Sequence, residues 1–343
     1  MKKLLNTLYI TSEDAYLSLE NENVVVWKDD ERKAQYPLLM LEGITSFSYK
    51  GASPALMGKC AETGKSLCFM TRNGRFLARV CGSDRGNVLL RKTQYRLSDN
   101  VEESCRIARP FIFGKLYNSR WQIERTLRDH ALRVEETELR AASRFIQAQY
   151  QQVADCTELD VLRGIEGKAS ERYFSVLDQM ILNRKDTFSF KARSRRPPLD
   201  PVNAMLSFLY TVLAHDCAAA LESVGLDAYV GFMHRDRPGR VSLALDLMEE
   251  LRAPMVDRLV LTLINTGQIH AKHFRCQAGG AVLLTDEGKK LILKVWQARK
   301  LDEITHPFLK EKISWGLVPY VQSLLLARCL RDDLDGYPPF LWK

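Results

Sequence analysis

Two hydrophobic periods divide the chain. Up to about residue 83, short runs of β-formers alternate with polar breaks; beyond it, apolar residues recur at three-and-four spacing. In the first stretch Leu8 to Ile10, Ala15 to Leu19 and Val24 to Trp27 read as strands, parted by Ser12-Glu13-Asp14 and by Glu20-Asn21-Glu22-Asn23, a hairpin turn. Tyr36 to Leu41, Ile44 to Tyr49, Ser66 to Met70 and Phe76 to Val80 add four more, the last two joined through Asn73-Gly74, a pair that readily supplies positive φ. One helix interrupts them, capped by Ser53, running through Ala61 and followed by Gly64.

The second stretch predicts helices over Val88 to Leu97, Val101 to Tyr117, Trp121 to Leu132 and Glu135 to Val153, then over the periodic positions Val161 to Ile181. Met205 to Leu221, Leu243 to Arg252, Met255 to Ile264, Glu287 to Lys300 and Tyr320 to Asp332 follow. Between two of these, Phe188 to Pro201 carries three prolines and four basic residues, which forbids a regular helix and predicts a charged loop. The fold class expected is α+β: a small N-terminal β-rich domain, residues 1–83, followed by a larger all-α domain, residues 84–343, without internal repeats.

Composition narrows the class. Of 343 residues, 46% are apolar and 27% charged, which excludes a disordered chain, and 19 Gly with 12 Pro exclude a collagen-like one. Uninterrupted apolar runs fall short of the roughly 18 residues a membrane span needs, so no membrane association is expected. The N-terminus MKKLLNTLYITSEDAY forms neither an apolar signal core nor a cleavage site, which points to the cytoplasm. Eight cysteines without any C-x-x-C pair argue against a zinc ribbon or a disulfide framework. A net charge of +8 favours an anionic partner such as nucleic acid.

Three segments carry candidate chemistry. Gly164 and Gly167 flank Glu166, which suggests substrate access or close backbone approach; the alternative is a helix start with an acid near its positive end. His234 precedes Arg235-Asp236-Arg237 in a loop, as a ligand or as a solvated residue. Asp246, Glu249 and Glu250 lie three and four apart on one helix, and Asp246, within apolar neighbours, needs a partner if buried. Two carboxylates and an imidazole suit Mg²⁺ or Mn²⁺. A rival, His270-Ala-Lys-His273-Phe-Arg-Cys276, has ligand-like spacing for zinc but no second pair. Phosphate-binding G-x-x-x-x-G-K-[ST], G-x-S-x-G and H-E-x-x-H motifs are absent from the sequence.

The run from Arg195-Arg196-Pro-Pro-Leu-Asp200-Pro-Val-Asn203 to Tyr210, then Gly225 to His234, then Ser242 to Arg252 resembles the CRISPR-associated integrase family Cas1. The likeness extends to Gly164-Ile-Glu166-Gly167, to Phe113-Gly114-Lys115-Leu-Tyr-Asn118-Ser-Arg120 and to Gly74 to Arg79, so it spans most of the chain in order. It implies a homodimer, formed largely through the β domain, whose α domain holds a divalent metal, Mg²⁺ or Mn²⁺, on Glu166, His234 and Glu249. Asp246 is then a supporting acid, and Glu249 stands where some members carry Asp. The resemblance also implies double-stranded DNA as substrate, a small bridging partner, Cas2, and transesterification by a 3′-hydroxyl at a repeat, with hydrolysis at the same site. Arg193, Arg195, Arg196, Arg235 and Arg237, which adjoin the ligands in sequence, are the first candidates for phosphate contacts. A DNA-repair nuclease and a catalytically silent DNA-binding scaffold are the competing readings.

Overall fold

The computed structural model describes residues 6–72, 76–80, 82 and 88–343. The Asn73-Gly74 turn, Cys81 and the expected boundary near residue 84 lie outside the described residues. The chain forms two compact units, one of residues 1–85, 284–304 and 313–317, the other of residues 86–283, 305–312 and 318–343.

In the first unit the strands are β1 (Thr7–Ile10), β2 (Tyr16–Glu20), β3 (Asn23–Lys28), β4 (Glu31–Pro37), β5 (Gly43–Ser46), β6 (Ser66–Met70) and β7 (Phe76–Val80), with helix α1 (Pro54–Thr63) between β5 and β6. Four strands pair in the order β1-β5-β6-β7, parallel except for β6–β7, and β2-β3-β4 form an antiparallel meander. Asn21 and Glu22 take positive φ at the β2–β3 turn, as that polar break predicts. Ser53 caps α1 by accepting from the Leu56 amide, and Gly64 ends it in the left-handed conformation. Leu17, Val24, Ile44, Leu56 and Leu67 centre the core between the sheets and this helix. The strand expected at Tyr36 to Leu41 is instead β4, which begins at Glu31 and ends at Pro37, followed by a short 3₁₀ turn at Leu38–Met40. As an edge strand exposed at all but one position, β4 has no apolar face to give it a period.

The second unit is built from α2 (Val88–Asp99), α3 (Val101–His130), α4 (Glu136–Asp155), α5 (Leu159–Ser175), α6 (Pro201–Ser223), α7 (Ser242–Leu251), α8 (Arg258–Asn265) and α10 (Val318–Leu330), while α9 (Asp286–Leu301) belongs to the first unit. Two expected helices are one: α3 runs 30 residues across Asn118 and Ser119. Both are buried, and Asn118 donates to the carbonyls of Glu250 and Phe340 rather than competing for its own backbone. A π-helical turn, Arg252–Asp257, carries α7 into α8 past Pro254. Helix α6 is long and apolar enough to cross a membrane by composition, and 72% of that window is buried within the protein, as in a core helix. The β-rich region followed by a mostly helical one is the α+β class expected.

Candidate active site

Helices α3, α5 and α7 and the loop before α7 bring the candidate residues together. Glu166 lies in the middle of α5 rather than at its start, so the helix-start reading does not apply. A Cβ at Gly164 or Gly167 would meet nothing, so both glycines lie on an open face of α5. Glu249 lies on α7 and is 5% exposed. The ammonium of Lys115, from α3, reaches both acids: it pairs with Glu166 Oε1 and lies 2.7 Å from Glu249 Oε2. Ser170, one turn along α5, donates to Glu166 Oε1 at 2.8 Å.

His234 faces the same acids. Its Nε2 stands 3.8 Å from Glu249 Oε1, and its Nδ1 lies 2.6 Å from Asp246 Oδ1. Asp246 is fully buried and accepts the backbone amides of Phe232, Met233 and His234, so the partner its apolar setting demanded is the loop itself. A carboxylate can only accept, so Nδ1 donates to Asp246, and Nε2 is the ring nitrogen turned toward Glu249. Gly231 makes this possible, because a Cβ there would come within 2.8 Å of Ser242 Cβ and 2.9 Å of Asp246 Oδ2.

Glu249 also receives Arg252, whose Nη2 lies 2.9 Å from Oε1 and whose guanidinium covers the Tyr210 ring at 4.7 Å. Burial alone would raise the Glu249 carboxyl; Arg252, Lys115 and His234 outweigh it and hold the group at about 2. Its neighbour Glu250 points the other way, into a buried network with Gln322, Tyr337 and the Phe340 amide, and burial pushes it up to about 7.

Two carboxylates and an imidazole are donors of the kind that suits Mg²⁺ or Mn²⁺. Among the described residues, no three His, Cys, Asp or Glu side chains are set closely enough to enclose a metal ion in this conformation. Here the Lys115 ammonium bridges Glu166 and Glu249. The same holds for the rival zinc motif: His273 Nδ1 accepts the His270 amide, the two rings lie 5.7 Å apart, and Cys276 is exposed.

The candidate DNA contacts divide. Arg195, Arg196, Arg235 and Arg237 are exposed, and Arg235 pairs with Asp160 at 3.2 Å. Arg193 turns inward, donating to Asn203 Oδ1 and Ser207 Oγ and stacking near Tyr210, so it fastens the proline-rich loop to α6. Sequence reasoning gave no role to Lys115 or Arg252, although both fall within the family motifs; a basic residue one position after Gly114 and one three after Glu249 were the available signals.

This is a two-unit protein with an acid–imidazole cluster embedded in its helical unit. Residues 8–298 match the family described as CRISPR associated protein Cas1. The chain is 50% identical over 347 residues to "CRISPR-associated endonuclease Cas1 2" of Rhodospirillum rubrum and 47% over 343 residues to "CRISPR-associated endonuclease Cas1 1" of Chlorobaculum tepidum, each covering all of both chains. In fold it is similar to a casposase bound to integration product, with TM-score 0.83 and 21% identity over 98% of this chain and 93% of that one. The chain belongs to the Cas1 family.

Proposed function

We propose that this chain is a divalent-metal-dependent DNA endonuclease and integrase of the CRISPR adaptation complex, inserting short DNA fragments as new spacers. The observation that carries this reading is that Glu166, His234 and Glu249, 83 residues apart from first to last, are linked in one cluster: Lys115 pairs with both acids, and His234 Nε2 faces Glu249 Oε1. Mg²⁺ or Mn²⁺ held by these three would supply charge neutralisation for the phosphoryl oxygens of the transition state. In the reaction a fragment's 3′-hydroxyl attacks a repeat phosphodiester, an O–P bond forms, and the repeat's own 3′-oxygen leaves. With water as nucleophile the same displacement is hydrolysis.

The chain's own residues prepare this site. Asp246 fixes the His234 tautomer, and Arg252 keeps Glu249 ionised in its buried setting. Exposed arginines at 195, 196, 235 and 237 supply sequence-independent phosphate contacts. Two attacks per inserted fragment call for two such sites, hence a homodimer bridged by Cas2.

Replacing Glu166, His234 or Glu249 by Ala is expected to remove most Mn²⁺-dependent strand transfer while duplex binding persists, because affinity comes from phosphate contacts. Retained strand transfer in all three variants sinks the site. Wild-type turnover in Glu249→Ala alongside its loss in Asp246→Ala moves the third ligand. Hydrolysis without joining would favour the repair nuclease, and DNA binding without turnover the silent scaffold.

A further inference from the structure

Lys115 is the cation the acid cluster already has. Its side chain is 13% exposed, on a helix that also packs against α7, and its ammonium pairs with both Glu166 and Glu249. A buried ammonium is tolerated only where such partners compensate its lost hydration. Glu166 and Glu249 pair with Lys115, Glu249 pairs also with Arg252, and Asp246 joins the cluster through His234. Three carboxylates are balanced by Arg252 together with one divalent ion, with no further cation required. If Lys115 stayed in place beside that ion, the cluster would carry an uncompensated positive charge with little water to screen it. The bridging position between the two carboxylates can be filled by an ammonium or by a metal, but not by both.

We propose that Lys115 is the resident counter-cation of this site and that a divalent ion binds by displacing its ammonium from between Glu166 and Glu249. The inference rests on the metal-site reading above. Lys115 thereby sets how tightly the metal binds, holds the two acids together before loading, and is released from between them when the metal enters.

Mn²⁺ titration of the full chain without DNA, followed by electron paramagnetic resonance, tests this directly. Lys115→Met is expected to bind Mn²⁺ about tenfold more tightly than the native chain, and to melt at a lower temperature without metal but not with it. Lys115→Arg, which keeps the charge, should stay near native affinity, and Lys115→Gln serves if the Met variant does not fold. Displacement itself is read by acylation of lysines with and without Mg²⁺, scored by mass spectrometry: Lys115 labelling should rise when metal is present. Unchanged or weaker Mn²⁺ affinity in the neutral variants overturns the proposal, as does metal-independent labelling of Lys115. If Glu166→Gln and Glu249→Gln retained native Mn²⁺ affinity, the metal-site reading itself would fall, which separates the two failures.

Discussion

Asp257, in the π-helical turn, is 2% exposed and accepts hydroxyls from Tyr173 at 3.0 Å and from Tyr210. Through Tyr210 it supports Arg252, and through Arg252 the carboxylate of Glu249. Burial pushes the Asp257 carboxyl up from 3.8 to about 6, against the two tyrosine hydrogen bonds and the charges of Arg252 and Arg193. A raised folded value favours the neutral acid. The stability it contributes is therefore complete below 3.8 and is lost as pH rises through about 6. Asp257→Asn keeps a neutral group of the same shape and cannot ionise, so its stability relative to the native chain should improve between about pH 4 and pH 7. Thermal unfolding of both proteins across that range checks it, since all other titrating groups are shared. A difference in melting temperature that does not vary with pH would rule it out.

Helices α3 and α7 approach closely at Gly114, where a Cβ would lie 2.9 Å from Glu250 Cβ, 3.0 Å from Glu250 Oε2 and 3.2 Å from Pro339 Cβ. That approach sets Lys115 beside Glu249. Glycine to alanine in a helix gains about 1 kcal/mol from propensity, while overpacking costs about 1–3 kcal/mol. At Gly114 the clash is with a buried side chain held by three hydrogen bonds, so Gly114→Ala should destabilise by about 1–2 kcal/mol. At Gly164 no atom is met, and Gly164→Ala should stabilise by up to about 1 kcal/mol. Denaturant unfolding distinguishes them; stabilisation by both would mean the helices can part at no cost. Elements whose packing is apolar, such as β6 and α1, were legible in the sequence because burial alone decides them. Those whose polar residues do the packing were not. Asn118 and Ser119 broke the period of α3 while pointing inward, and β4 had no inward face to read. For the proposed site, family motifs singled out Glu166, His234, Glu249 and Asp246, which the structure brings near one another. Lys115 was not, since only the fold brings a residue 51 positions before Glu166 to its carboxylate.

At the scale of the chain, periodicity shows that α9 has a buried face but not which unit buries it. In the structure α9 lies in the first unit, with Ile292, Leu293 and Trp296 buried and Asp286 paired with Arg72 at 2.7 Å. Net charge acts at this scale too. An excess of +8 gives long-range attraction to DNA, yet only cations free to meet phosphates release counterions. Arg195 and Arg196 are exposed on the proline-rich loop, whereas Arg193 in the same loop is committed to Asn203 and Ser207. Arg235 shares Asp160 in an exposed pair, which contributes little and can yield to a phosphate. Reversing Arg195 and Arg196 together should therefore weaken duplex binding uniformly across sequences. The slope of log affinity against log salt should fall by about one for each phosphate the loop no longer neutralises. Arg193→Glu should act differently, lowering the melting temperature because it leaves loop acceptors without their donor and places a carboxylate beside Asn203 Oδ1. Filter binding over a salt series, with thermal unfolding of the same proteins, reads both effects. If the Arg195 and Arg196 reversal left affinity and slope intact, the loop does not contact DNA; if Arg193→Glu changed the slope at native stability, that arginine leaves its internal partners to meet the backbone.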